Sequence, residues 1–359
     1  MTEARPSRRP LRLLQVGMGA WGRDWAWRII PGVKAVKHVG CVDVNPQALA
    51  LATAQAGIPP DRCFTSLDAA LEATKPEAVL VTTVLPGHVP IARAALEAGK
   101  HVLVEKPFAR RVVDARSLVE LAARRGMVLM VSQNYRFFPA PRAVARLVKE
   151  ATLGEVGQIW IEFRRYSPIG PDGPHAHHRD EQPLLIDMSI HHLDLLRHIL
   201  GKEATGVSCY SWNPRWSGFS GPPAAVASIV FDGGLIVSYR GSWISPGQST
   251  PWAGEWRMAF EGGEVLWTSR GEDSTPAELV VVQRRGGAAE ALAVPAMKYV
   301  DRWGTLSEFA DAVRSGREPH SSGRENLGTL ALMNAMVESA SHRRPVAVRP
   351  VDTSGGTSA

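Results

Sequence analysis

The chain has 359 residues, 45% of them hydrophobic, with 41 Lys and Arg against 35 Asp and Glu and a formal net charge of +6. That length exceeds what one core usually serves, so two domains are expected. The basic residues are scattered without a stripe, no apolar stretch is long enough to span a bilayer, and the N-terminus lacks a secretory apolar core; nucleic acid, a membrane span and export are therefore not expected.

The one local basic cluster, Arg5, Arg8, Arg9 and Arg12, is interrupted by prolines and reads as a disordered leader, taken over residues 1–9. Leu11 to Val16, Val39 to Val42, Ala78 to Val81, His101 to Val104 and Val128 to Val131 follow as short apolar runs, the mark of strands buried on both faces. Helical stretches alternate with them at Gln47 to Ala56, Leu67 to Ala73, His88 to Ala98 and Asp114 to Arg125. The alternation predicts a Rossmann-type, doubly wound parallel sheet over residues 10–133.

Gly17-Met18-Gly19-Ala20-Trp21-Gly22 stands directly after the first strand and before a helix. Its glycines allow a tight turn and let backbone amides approach a pyrophosphate at the helix N-terminus. A Gly-x-Gly-x-x-Gly string alone is weak, and a turn that merely packs strand on helix is the bland alternative. Asp43, at the end of the second strand, strengthens the dinucleotide reading because an acid there can bind the adenosine ribose hydroxyls. Its carboxylate would repel a 2′-phosphate, so NAD is favoured over NADP as cofactor.

Glu105-Lys106-Pro107 closes the His101 to Val104 run and leaves a lysine at a strand's carboxyl end, where open α/β sheets do chemistry. Beside apolar strand ends and an oxidised nicotinamide, such a lysine would be pushed toward its neutral form and could serve as a base or proton donor. A solvated surface lysine remains the alternative.

The rhythm changes after about residue 134. Ile159-Trp160-Ile161-Glu162-Phe163-Arg164 alternates as a half-exposed antiparallel strand would, opening a second α/β domain with a large, mostly antiparallel sheet over residues 134–350. Further strands are expected at Ala225 to Phe231, Leu235 to Trp243, Glu255 to Glu261 and Leu279 to Gln283. Helices are expected at Arg302 to Arg314 and Glu325 to Ser341, and a loose tail over 351–359. Arg164 and Tyr166 share the Trp160 face and could contact substrate, with a solvated or interface face as the alternative.

Asp187-Met188-Ser189-Ile190-His191 begins an amphipathic helix, and positions i and i+4 lie on one helix face. Asp187 could accept from one imidazole nitrogen and leave the other aimed at a substrate hydroxyl. A helix cap beside a solvated histidine is the plainer reading. His175, His177 and His178 precede that helix in a Pro/Gly-rich loop that reads as a substrate cover; nothing nearby fixes a metal geometry, so no metal is expected. Cys41, Cys63 and Cys209 show no paired spacing, which favours neither disulfides nor zinc and fits a reducing cytoplasm. Eight of the 11 tryptophans follow residue 150 and fit core and subunit interface best. A homodimer or homotetramer is expected.

As a set, the Gly17 to Gly22 turn, Asp43, Thr83 and His88, Ala95-Leu96-Glu97-Ala98-Gly99-Lys100-His101-Val102 leading into Glu105-Lys106-Pro107, and Asp187-x-x-x-His191-x-x-Asp194 resemble the Gfo/Idh/MocA oxidoreductases. The resemblance covers nearly the whole chain and is strongest in its first half. It implies NAD(P)-dependent oxidation or reduction at a carbinol carbon of a sugar, inositol or related polyol. It also implies that Met18, Ala20, Trp21, Thr83, His88, Glu105, Lys106 and Asn134 border the cofactor. Lys106 would bond the reacting hydroxyl, His191 would be proton acceptor or relay, and Asp187 would orient it. Arg136 would lie near cofactor and substrate, or else belong to a junction held by a salt bridge; His192 reads as packing or a second layer behind His191, with a direct part in catalysis or substrate contact as the alternative. Val84 replaces the family's usual proline, and Glu181-Gln182-Pro183-Leu184-Leu185 replaces its usual glycine-rich approach to the histidine helix. An NAD-dependent glycosidase would use much of the same machinery, and a non-catalytic dinucleotide-binding regulator would lack the lysine or histidine.

Overall fold

A computed structural model describes residues 9–170, 173, 176–272 and 277–351. Apart from Arg9 and Val351, the expected leader and tail lie outside the described residues, as do His175 and the side chain of His177. Two compact units emerge, one running to Ser132 and taking in Arg302–Arg324, the other formed by Gln133–Asp301 and the chain from Glu325 onward.

In the first unit, strands β1 (Leu11–Val16), β2 (Val36–Val42), β3 (Cys63–Phe64), β4 (Ala78–Val81), β5 (His101–Val104) and β6 (Leu129–Val131) form one parallel sheet in the order β3-β2-β1-β4-β5-β6. Helices α1 (Ala20–Asp24), α2 (Pro46–Ala56), α3 (Leu67–Thr74), α4 (Leu85–Glu97) and α5 (Val112–Arg125) connect them. All four residues of β4 are buried, as are Leu11, Leu13 and Leu14 of β1, which is why these strands read as unbroken apolar runs. Order reverses between β1 and β4, so the carboxyl edge there is the switch point at which such sheets take ligands. Cys41 and Cys63 face each other across β2 and β3 with their sulfurs 3.6 Å apart, both as free thiols; burial pushes the Cys41 thiol up.

In the second unit, β7 (Val156–Arg164), β8 (Ala204–Trp212), β9 (Ala224–Phe231), β10 (Ile236–Ser242), β11 (Glu255–Phe260), β12 (Gly263–Thr268), β13 (Leu279–Arg284), β14 (Ala289–Ala291) and β15 (Val346–Ala347) form a sheet. Its order is β14-β13-β12-β11-β7-β10-β9-β8-β15, antiparallel except between β7 and β10. Ile159, Ile161 and Phe163 point to the covered face, while Trp160 is 38% exposed on the other. Helices α6 (Pro139–Lys149) and α7 (Ser189–Leu200) pack together, and the His192 ring of α7 meets Phe163 and Tyr239 on that covered face. Two further helices, α8 (Asp301–Ser315) and α9 (Gly323–His342), complete the described chain. Strands β8 and β12 carry weaker alternation and were not expected from sequence. Among the described residues no helix is long and apolar enough to cross a membrane.

Candidate active site

In the first unit the Gly17 turn is built for close approach. Gly17 has φ +100, and a Cβ there would come within 2.5 Å of the Thr83 amide nitrogen; one on Gly22 would meet the Gly17 carbonyl oxygen at 2.0 Å. A Cβ on Gly19 would meet nothing within 4 Å. Backbone therefore stands bare before a helical run that continues from Ala20 to Ile29, which suits a pyrophosphate. Two buried side chains that the motif does not contain hold the turn. Gln15 Nε2 donates to the Gly22 carbonyl at 2.7 Å and to Thr82 Oγ1 at 3.0 Å, and the Thr82 hydroxyl donates to the Gly17 carbonyl at 2.7 Å.

Asp43 accepts from the Met18 amide at 2.7 Å and the Asn45 amide at 2.9 Å. Each carboxylate oxygen keeps a lone pair for a ribose hydroxyl. Trp21 is 45% exposed, and the Arg302 guanidinium lies 4.0 Å from its ring while pairing with Asp24. No sequence pattern links Arg302 to that turn.

Lys106 stands past the carboxyl end of β5, at the same edge as the Gly17 turn. The Glu105 side chain turns inward and accepts from the Trp25 indole at 2.8 Å. His88 is 2% exposed and has both ring nitrogens on backbone carbonyls, Nδ1 at 2.8 Å from Pro107 and Nε2 at 2.9 Å from Thr83. It ties two loops together and has no nitrogen left for a cofactor. Burial lowers its pKa, partly offset by those carbonyls.

In the second unit Asp187 does not begin an α-helix. It lies in a wider π turn, Pro183–Met188, and α7 starts at Ser189. His191 occupies the first turn of α7 and is stacked on Tyr135 from the short 3₁₀ turn Asn134–Phe137. Burial pushes the Tyr135 phenol up to about 12 against the pull of Arg270, which donates to its oxygen, and Asp301 and Asp187 add to the rise. Asn134 donates its side-chain amide to Asp301.

The remaining predicted residues separate from this cluster. Arg136 is 3% exposed, with two bonds to Asp194 at 2.5 and 2.6 Å and one to Glu325 at 2.7 Å. Burial works against its charge, but Asp194 and Glu325 hold the guanidinium protonated. Its donors serve carboxylates, as the salt-bridge reading had it, not a substrate. Arg164 pairs with Glu255 at 3.1 Å on the Trp160 face, opposite the His192 side of the sheet; alternation along β7 sends its neighbour Arg165 to the covered side, 4.0 Å from the Trp252 ring. Tyr166 is 51% exposed. His178 is buried against Phe219, with Nε2 at 2.9 Å from the Ser167 carbonyl. His192 is fully buried between the Tyr239 hydroxyl at 3.1 Å and the Trp252 carbonyl at 3.2 Å. A carbonyl only accepts, so Nε2 carries the proton and Nδ1 accepts from Tyr239, whose oxygen in turn can accept from Ser189 at 2.8 Å. Burial lowers the His192 pKa to about 4. Among the described residues no group of three or more His, Cys, Asp or Glu is arranged to hold a metal ion.

A bare dinucleotide turn with its acid, on a switch-point sheet edge that also carries a lysine, defines an NAD-binding oxidoreductase. Residues 11–133 match the model of an oxidoreductase family with an NAD-binding Rossmann fold, and residues 142–264 match the GFO/IDH/MocA C-terminal domain. The chain belongs to the Gfo/Idh/MocA family of enzymes. It is 27% identical to a D-apiose dehydrogenase of Paraburkholderia graminis, over 94% of this chain and 89% of that one. It is 24% identical to an inositol 2-dehydrogenase of Rhizobium meliloti, over 79% and 84%. An oxidoreductase from Agrobacterium radiobacter, solved with NAD+, L-tartaric acid and magnesium, shares the fold with a TM-score of 0.83 at 20% identity, over 95% of this chain and 99% of that one.

Proposed function

We propose that this protein is an NAD-dependent dehydrogenase that moves hydride between nicotinamide and a carbinol carbon of a sugar, inositol or related polyol. The observation that carries this reading is the placement of Lys106 and the Gly17 turn at one carboxyl edge of the first unit's sheet. The apiose and inositol dehydrogenases among its relatives support a polyol substrate. When bound, the nicotinamide supplies the hydride acceptor or donor. Gly17, Gly19 and Gly22 leave space for the pyrophosphate, and Asp43 takes the ribose hydroxyls, which favours NAD over NADP. Lys106 bonds the hydroxyl of the reacting carbon and assists loss of its proton. His191 receives that proton, and Asp187 orients its imidazole. The outward sheet face, with exposed Trp160, Tyr210 and Leu279 around a depression of about 950 Å³, serves subunit contact in a homodimer or homotetramer.

A panel of D-glucose, D-xylose, D-apiose, myo-inositol and D-gluconate, each with NAD and with NADP, tests the reading by near-ultraviolet absorbance of the reduced cofactor. Reduction of NAD by at least one member is expected. Substitution Lys106→Ala should lower turnover about a hundredfold or more while leaving NAD affinity within about threefold, because the lysine acts on the reacting hydroxyl. Wild-type turnover in that variant would remove the lysine from the mechanism. Release of aglycone from a glycoside without net NADH would replace dehydrogenase by glycosidase.

A further inference from the structure

Tyr135 lies flat on the His191 imidazole, with ring centroids 4.1 Å apart and planes 4° from parallel. A histidine ring turns about a broad, roughly two-fold terminal torsion. A ring that takes a proton at one nitrogen needs that torsion fixed by its surroundings. The stacked phenol supplies such a restraint, since rotation of the imidazole would drive its edge into the tyrosine face.

Tyr135 is itself immobilised. It is 2% exposed, and its oxygen accepts from Arg270, whose guanidinium carbon is 4.6 Å from the phenol ring centre. Arg270 holds φ 58, in the left-handed region that side-chain-bearing residues avoid. Its turn is fastened by Glu278, which accepts from the Arg270 amide at 3.2 Å and from the Ser269 hydroxyl at 2.7 Å. Asp301, bonded to the Asn134 amide, holds φ 55. Two strained backbone positions thus direct their side chains at neighbouring residues of one short turn. Strain of this kind persists where surrounding contacts over-determine a functional geometry.

The geometry points to Tyr135 as a positioning residue for His191, with Arg270 as the tether that holds the tyrosine in place. The inference rests on the proton role proposed for His191, and its test separates the two. In the full chain without ligand, the His191 ring-carbon proton resonance is identified by its loss in His191→Asn. It should be displaced upfield by the ring current of the stacked phenol. Tyr135→Phe should keep the displacement, Tyr135→Leu should abolish it, and Arg270→Met, which spares the ring, should reduce it. A resonance unchanged in Tyr135→Leu would overturn the stack, and one unchanged in Arg270→Met would overturn the tether.

With NAD and the fastest substrate of the panel, Tyr135→Leu should lower kcat about tenfold or more with KM within about threefold, as expected when orientation rather than binding is lost. Introduced into His191→Asn, the same change should cause no further loss, because a residue acting only through His191 has nothing left to position. Additive losses would overturn the positioning role while leaving the dehydrogenase reading intact. Wild-type turnover in His191→Asn would overturn the proton role and, with it, the positioning role.

Discussion

His88 Nδ1 lies 2.8 Å from the Pro107 carbonyl oxygen, joining the loop that carries Lys106 to the start of α4. Its other nitrogen is 2.9 Å from the Thr83 carbonyl. The neutral imidazole has one N–H, so replacement by Leu leaves the carbonyl that accepts it without a donor, at a cost of about 1–3 kcal/mol in folding stability. Urea denaturation should register that loss, and turnover should fall with it because the lysine loop is no longer tied down. Undiminished stability and turnover would show the staple to be idle.

Asp43 has two tasks that substitution can separate. Asp43→Ala removes the acceptor for the Met18 and Asn45 amides along with the proposed ribose contact. Asp43→Asn keeps one acceptor oxygen for the turn and loses the charge. Both should weaken NAD about tenfold or more, a loss of about 1.4 kcal/mol, and Asp43→Asn should also narrow the preference for NAD over NADP. Calorimetric titration with each dinucleotide checks this; an unchanged ratio would contradict the ribose assignment.

Arg136→Met leaves the carboxylate of Asp194, 1% exposed, without its closest cationic partner. Breaking a buried pair on one side costs about 3–5 kcal/mol. Arg197, 2.9 Å from Glu325 in the same cluster, offsets part of that loss. Denaturant midpoints should drop sharply, while any variant protein that remains folded should keep the wild-type KM. A selective rise in KM with full stability would restore Arg136 to substrate binding.

His192 sets a pH dependence. Burial lowers its folded pKa from 6.5 to about 4, so across that window the unfolded chain binds a proton that the folded chain refuses. Stability is therefore complete above about 6.5 and falls as pH drops toward 4, by up to about 1.4 kcal/mol per unit for one such group. His38, lowered to about 4 by burial, acts in the same direction. Urea midpoints between neutral pH and about pH 5 should decline, and His192→Asn should flatten part of that slope. A slope identical in the variant would remove His192 from the acid response.

Most of the first unit was legible in the sequence because its elements are local. Buried parallel strands print unbroken apolar runs, and the Gly17 turn with Asp43 must follow the first two strands in a fixed order. Helix α4 started earlier than its sequence pattern showed, at Leu85, since Pro86 sits comfortably in a first turn. The second unit was less legible. Strands β8 and β12 mix faces too weakly to announce themselves, and the π turn at Asp187 obeys a spacing that an α-helical pattern does not contain.

By itself the sequence determined the sheet of the first unit, the family, and the three residue types offered for catalysis, because these depend on periodicity and on motifs a few residues long. Tertiary structure decided which polar groups are already spent. Arg136, His178 and His192 are satisfied by Asp194, the Ser167 carbonyl and Tyr239, partners 58, 11 and 47 residues away along the chain. It also decided that Tyr135 and Arg270 stand behind His191, since Arg270 reaches the phenol only when β12 has paired in the sheet and the turn after it has adopted its left-handed residue. Hydrogen-bond partners far apart in sequence leave no periodic trace, and it is those partners that separate a group poised for chemistry from one holding the fold together.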